Sequence, residues 1–177
     1  MTIPLLLELL LLLTVVAAAC NDLSTRRIPN ILLLVCGAGA IALHLAGPAP
    51  AGALLRGLGG AATGLAVFLP LYVLRGMAAG DVKLMATVGL FLSAGEAFEV
   101  AVMTVCAGGV MALAVVLWNR RWRAAWGNVM ALLRPIWMGM AGARLAAEPM
   151  PHASVGSLPY GLAIASATLL FLAQRHC

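Results

Sequence analysis

Six apolar stretches, residues 3–20, 31–47, 52–74, 80–95, 97–118 and 157–174, follow one another along a chain of 177 residues. Each approaches the roughly 17–25 residues that a helix needs to cross a bilayer. A chain organised in this way cannot fold as a water-soluble globule. Hydrophobic residues make up 63% and charged residues 10% of it, whereas a soluble domain carries about 25% charged residues, so too little polar surface remains to face water. Disorder is excluded as well, since a chain this apolar does not stay solvated. The fold class that follows is all-α: one polytopic membrane domain over residues 1–177, with about six transmembrane helices and the lipid bilayer as its surroundings. The first stretch has no basic residue ahead of its apolar run, unlike a secretory signal, and is read as the first span.

The breaks fall where turn chemistry sits, at Asn21–Pro29, Gly47–Gly52, Arg75–Gly80 and Ser93–Glu96. The fourth stretch is short and reaches spanning length only when Gly80, Asp81 and Lys83 form its first turn. Alternating crossings put segments 21–30, 75–83 and 119–156 on one side. Nine of the eleven Lys and Arg residues lie there: Arg26, Arg27, Arg75, Lys83, Arg120, Arg121, Arg123, Arg134 and Arg144. Arg56 and Arg175 are left for the other side. Cytoplasmic loops collect positive charge, so both termini face out and the three segments face the cytoplasm. The same bias accounts for the net charge of +5, and with no basic stripe or nucleic-acid motif, nucleic acid is not an expected partner. Trp118, Trp122 and Trp126, interleaved with arginines, lead into segment 119–156, a pattern suited to the headgroup layer.

Chemistry has few residues to draw on. The chain has only two aspartates, Asp22 and Asp81, and the topology sets both at cytoplasmic span ends, Asp22 directly after the first span and Asp81 opening the fourth. Either by itself reads as a helix cap as readily as a functional group. Together they allow more. Two carboxylates brought close in a low-dielectric site share a proton, so that one takes a proton from water while the other polarises a carbonyl. Gly80 beside Asp81 offers a position without Cβ where an extended peptide can approach.

Three blocks carry a family resemblance. Asp22-Leu-Ser-Thr-Arg-Arg-Ile-Pro-Asn30 resembles the first catalytic-aspartate segment of the type IV prepilin peptidases. Ala78-Ala-Gly-Asp81-Val-Lys-Leu84 resembles their second, the GxGD motif, and Leu158-Pro-Tyr-Gly-Leu-Ala-Ile164 is similar to their C-terminal Pro-aromatic-Gly element. The resemblance implies an aspartic endopeptidase of the bacterial inner membrane that removes the short basic leader from prepilin or pseudopilin precursors at the cytoplasmic face. Asp22 and Asp81 would be its catalytic pair, with neither metal nor cofactor. Two departures stand out. Ala78 replaces the first glycine of GxGD, which leaves the loop conformation open. The cytoplasmic insertion with paired cysteines of the larger members is missing, so the chain resembles the small type of tight-adherence (Flp) pilus systems, and N-methyltransferase activity is not expected.

Around the pair, Lys83 is read as a substrate contact or a snorkelling interfacial lysine, and Asn30 as a group beside Asp22 or a plain turn residue. Pro159, Tyr160 and Gly161 are read as shaping the cleft or as an interfacial span start with a belt tyrosine. His44, His152 and His176 are too scattered for a shared zinc site. Glu8 lies within the first span, and Arg56 is the partner that the topology offers it. Gly57, Gly59, Gly60 and Gly64 are read as allowing close helix packing. The rival functions are a small proton-coupled transporter, whose acidic residues relay protons, and a catalytically inactive pilus-assembly factor.

Overall fold

The computed structural model describes residues 2–74, 76–118, 127 and 160–176. Among these residues the secondary structure is helical throughout, with no strand. Six helices follow one another: α1 Ile3–Thr25, α2 Asn30–Leu45, α3 Pro50–Val73, α4 Ala79–Gly89, α5 Ala94–Trp118 and α6 Tyr160–His176. Three of them, α1, α3 and α5, are long and apolar enough to cross a membrane, and α2 is a shorter apolar helix. Their outward faces carry large apolar side chains such as Leu13, Ile31, Leu34 and Leu55, each more than 60% exposed. Such faces suit lipid rather than water. The chain divides into two compact units, Met1–Gly108 with Pro159–Cys177, and Gly109–Leu158; the site described below belongs wholly to the first. Segment 119–156, Arg75, His152 and Pro159 lie outside the described residues, residue 127 aside.

Within the first unit the inward stripe of α1 runs Leu11, Thr14, Val15, Ala18, Ala19 and Asp22, the three- and four-residue spacing of one helix face. Asp22 is therefore buried as the last member of this stripe and its only ionisable one. The helix does not stop at residue 20. Asn21 donates to the Ala17 carbonyl, Ser24 to that of Cys20 and Thr25 to that of Asn21, at 2.8–2.9 Å. These short polar side chains satisfy helix carbonyls instead of breaking the helix, and α1 extends through Thr25. Asp22 thus sits in the last turns of the helix rather than after it. Arg26 ends it in the left-handed region (φ 54°, ψ 31°), its N–H bonded to the Asp22 carbonyl at 3.0 Å.

The fourth span differs most from expectation. α4 has 11 residues, about 16 Å at roughly 1.5 Å per residue, half of an apolar bilayer core. A turn at Leu90–Ser93 ends it, and α5 starts at Ala94, earlier than the sequence pattern suggests. Glu96 fixes that start by accepting from both the N–H and the hydroxyl of Ser93, at 2.8 and 2.7 Å. α4 is buried on nearly every side, through Asp81, Val82, Leu84, Met85, Thr87, Val88 and Gly89. The reason is the glycine face of α3. A Cβ at Gly60 would overlap the Gly89 carbonyl, one at Gly64 would lie 2.7 Å from the Met85 oxygen, and one at Gly57 2.6 Å from the Leu90 oxygen. Gly57, Gly60 and Gly64 thus let two backbones touch, as expected of them. Gly59 does not take part, since a Cβ there would meet only Ala94 at 3.9 Å.

Helix ends gather at two opposite poles. At one, His44 Nε2 lies 2.8 Å from the Leu90 carbonyl, Arg175 pairs with Glu96 at 3.5 Å, and His176 with Glu8 at 3.2 Å. Glu8 is thereby partnered by the last turn of α6 rather than by Arg56, whose charge acts on Glu96 instead. Both partners of Glu8 and Glu96 come from α6, because the end of α6 packs beside the start of α1. The other pole carries the aspartates.

Candidate active site

Asp22 comes from the end of α1 and Asp81 from the first turn of α4, 59 residues later. Both are buried, at 7% and 6% exposure. They are near enough for the charge of Asp22 to act on Asp81. Among the described residues the other carboxylates, Glu8, Glu96 and Glu99, belong to the opposite pole or to the start of α5.

Each aspartate is held by one backbone amide. The Gly161 N–H, at the start of α6, donates to Asp22 Oδ2 at 2.7 Å. The Ala78 N–H donates to Asp81 Oδ2 at 3.1 Å, the reciprocal arm of a capping box in which Ala78 has no side-chain oxygen to complete the pair. Both amides belong to helix N-termini, where free N–H groups favour a carboxylate. Gly161 has no room for a side chain, since a Cβ there would come within 2.8 Å of Asp22 Oδ2 and 2.9 Å of its Cβ. Ala78 lies at φ −83°, ψ 154°, extended backbone open to any residue. Alanine therefore serves in place of the glycine of the GxGD pattern without strain.

The remaining described sequence candidates belong to the same elements or to α2. Lys83 Nζ donates to Asn30 Oδ1 at 3.1 Å, both side chains being exposed. Asn30 thus engages Lys83, tying α2 to α4. Gly80 is half-buried, and a Cβ there would meet Ile28 at 3.6–3.8 Å, ordinary contact; the packing of this chain does not itself demand glycine at that position. Tyr160 is half-buried with its ring against Gly108 of α5, where an added Cβ would lie 2.7 Å from Cε1. The charge of Asp81 acts on its phenol.

Gly108 escaped sequence reasoning. Its signal was the series Ala97, Val100, Ala101, Thr104, Gly108, an inward stripe that ends in a residue without a side chain. Gly89, the contact point of α3, was missed in the same way. No group of three or more His, Cys, Asp or Glu residues among the described ones forms a metal site.

An apolar helical bundle that buries two carboxylates at one pole, each on a backbone amide, defines a membrane protein with a candidate hydrolytic centre. The family model of the type IV leader peptidases matches residues 9–113, more than half of the chain, and the chain belongs to that family. It is a membrane-embedded peptidase of the leader-peptidase kind. The matched stretch contains Asp22, Asn30, Gly80, Asp81 and Lys83, while Tyr160 and Gly161 lie beyond it. No curated protein and no solved structure matches the chain.

Proposed function

We propose that the chain is an aspartic endopeptidase that removes the short basic leader from type IV prepilins of the Flp kind, at the cytoplasmic face of the bacterial inner membrane. The observation that carries this reading is that Asp22 and Asp81, 59 residues apart in sequence, are both buried and near enough for the charge of one to act on the other. Burying two carboxylates together is costly, and a fold has little reason to do so unless the pair acts. In this mechanism the ionised carboxylate takes a proton from water as the water oxygen attacks the scissile carbonyl carbon. The protonated carboxylate gives its proton to the carbonyl oxygen. Collapse of the tetrahedral intermediate breaks the C–N bond: one of its hydroxyl groups gives its proton to the now ionised carboxylate, and the leaving amine takes up the proton held by the other. No metal or other cofactor enters these steps.

The nine-to-two distribution of basic residues supports a cytoplasmic site. The leader would keep its positive charge in the cytoplasm while its apolar segment lies among the spans. Gly80 adjoins Asp81 and Tyr160 lies in its field, and we assign the entry of an extended peptide to this place, with Lys83 and Asn30 as further substrate contacts. The chain has no CxxC pair, and we assign it cleavage without N-methylation.

Co-expression with an Flp-type prepilin, read by the mass shift of leader removal, tests this. Wild type is expected to cleave, and Asp22→Asn and Asp81→Asn are each expected to insert normally and cleave nothing measurable. Cleavage by either variant near the wild-type rate would break the dyad assignment. Well-inserted wild type that cleaves no such precursor, but supports proton-coupled flux in proteoliposomes, would replace the peptidase by a transporter.

A further inference from the structure

We propose that the Tyr160 hydroxyl is a catalytic hydrogen-bond donor, supplying the oxygen of the scissile carbonyl with a third polar contact besides the two carboxylates. The inference rests on the peptidase reading. Three observations carry it. First, α6 begins at the site: the Gly161 N–H is spent on Asp22 Oδ2 at 2.7 Å, which fixes the residue immediately before it beside the pair. Second, the tyrosine ring is seated. It lies in a slot that only glycine leaves open, with Cε1, Cζ and the hydroxyl oxygen 2.7, 3.1 and 3.2 Å from where a Cβ on Gly108 would stand. Third, the phenol lies in the field of Asp81, yet its O–H makes no hydrogen bond to any described residue.

A half-buried phenol in the field of Asp81, with its ring seated on Gly108, has no acceptor among the described residues. The atom that fits is one that arrives with substrate and gains negative charge in the reaction. Such an atom is the carbonyl oxygen as water adds to the carbon. The phenol keeps its proton throughout: it donates a hydrogen bond to the developing oxyanion, while proton transfer stays with the aspartates. A donor of this kind is worth most in the transition state. The role explains why tyrosine rather than phenylalanine stands at a position whose ring packing asks only for an aromatic residue.

The test uses the full chain, purified in detergent, with an Flp-type prepilin as substrate and Asp22→Asn as the inactive reference. Tyr160→Phe keeps the ring on Gly108 and removes only the hydroxyl. The expected result is a fall in kcat of about 10²-fold, the scale for losing one oxyanion donor, with KM within about twofold of wild type and an unchanged thermal midpoint. A hydroxyl-bearing tetrahedral-intermediate mimic of the cleavage site is expected to lose affinity by a similar factor. A kcat within threefold of wild type, or a loss confined to KM, overturns the inference while leaving the aspartic peptidase standing. If wild type itself fails to cleave, the peptidase reading falls and this inference with it.

Discussion

Replacing Gly161 by alanine isolates the contact that holds Asp22 in place. The new Cβ would stand 2.8 Å from Asp22 Oδ2, 2.9 Å from its Cβ and 3.1 Å from its Cγ. Carbon atoms pack best at about 3.5–4.0 Å, so either the aspartate or the start of α6 must retreat by roughly 0.6 Å. The amide hydrogen bond of 2.7 Å then stretches beyond good geometry. A hydrogen bond to a charged group is worth about 1.5–3 kcal/mol, or roughly 10–10²-fold in rate when it orients a catalytic group, at about 1.4 kcal/mol per factor of ten. Misplacement of that group adds to the loss, as displacements near 1 Å cost about 10²-fold. Gly161→Ala is therefore expected to lower leader cleavage by about 10²-fold. Gly95→Ala, where an added Cβ meets nothing within 4 Å, serves as the control and is expected to cleave at the wild-type rate. The assay is single-turnover cleavage in detergent, with circular dichroism to establish that both variants are folded. If Gly161→Ala cleaved within threefold of wild type while Asp22→Asn was inactive, the backbone amide would not be what orients Asp22.

Two further outcomes follow from the packing. Gly60→Ala forces a methyl group into the Gly89 carbonyl and is expected to destabilise the bundle by about 1–3 kcal/mol, the usual cost of overpacking. Gly59→Ala, one residue away in the same helix, is expected to be neutral or to stabilise by up to about 1 kcal/mol; equal thermal midpoints for the two variants would contradict the α3–α4 contact. Glu8→Gln removes the partner of His176 at the pole opposite the aspartates, where an exposed pair is worth about 0–1 kcal/mol. It should shift the thermal midpoint little and leave cleavage unchanged, and a clear loss of cleavage would mean that the two poles are coupled.

The helical membrane class and the scarcity of aspartates were legible in the sequence, because each depends on local or compositional facts. Apolar length states that the helices belong in a bilayer, and two aspartates in 177 residues leave few alternatives for an aspartate pair. The same sequence also carried, unread, the stripe from Leu11 through Val15 and Ala18 to Asp22 that aims an acidic residue inward.

What remained for the tertiary structure was everything that depends on which surfaces meet. The fourth apolar stretch reads as a span by its length, yet α4 stops after 11 residues, and it is the glycine face of α3 that encloses it; hydropathy registers apolar length but not whether lipid or protein surrounds it. The Gly161 amide on Asp22 joins residues 139 positions apart, and Tyr160 reaches its slot only because Gly108 leaves one. Backbone amides leave no trace in a residue pattern, and a glycine reveals its purpose only when the group that fills its missing side chain is known. Sequence supplied the two aspartates of this protein, and long-range packing decided what holds them.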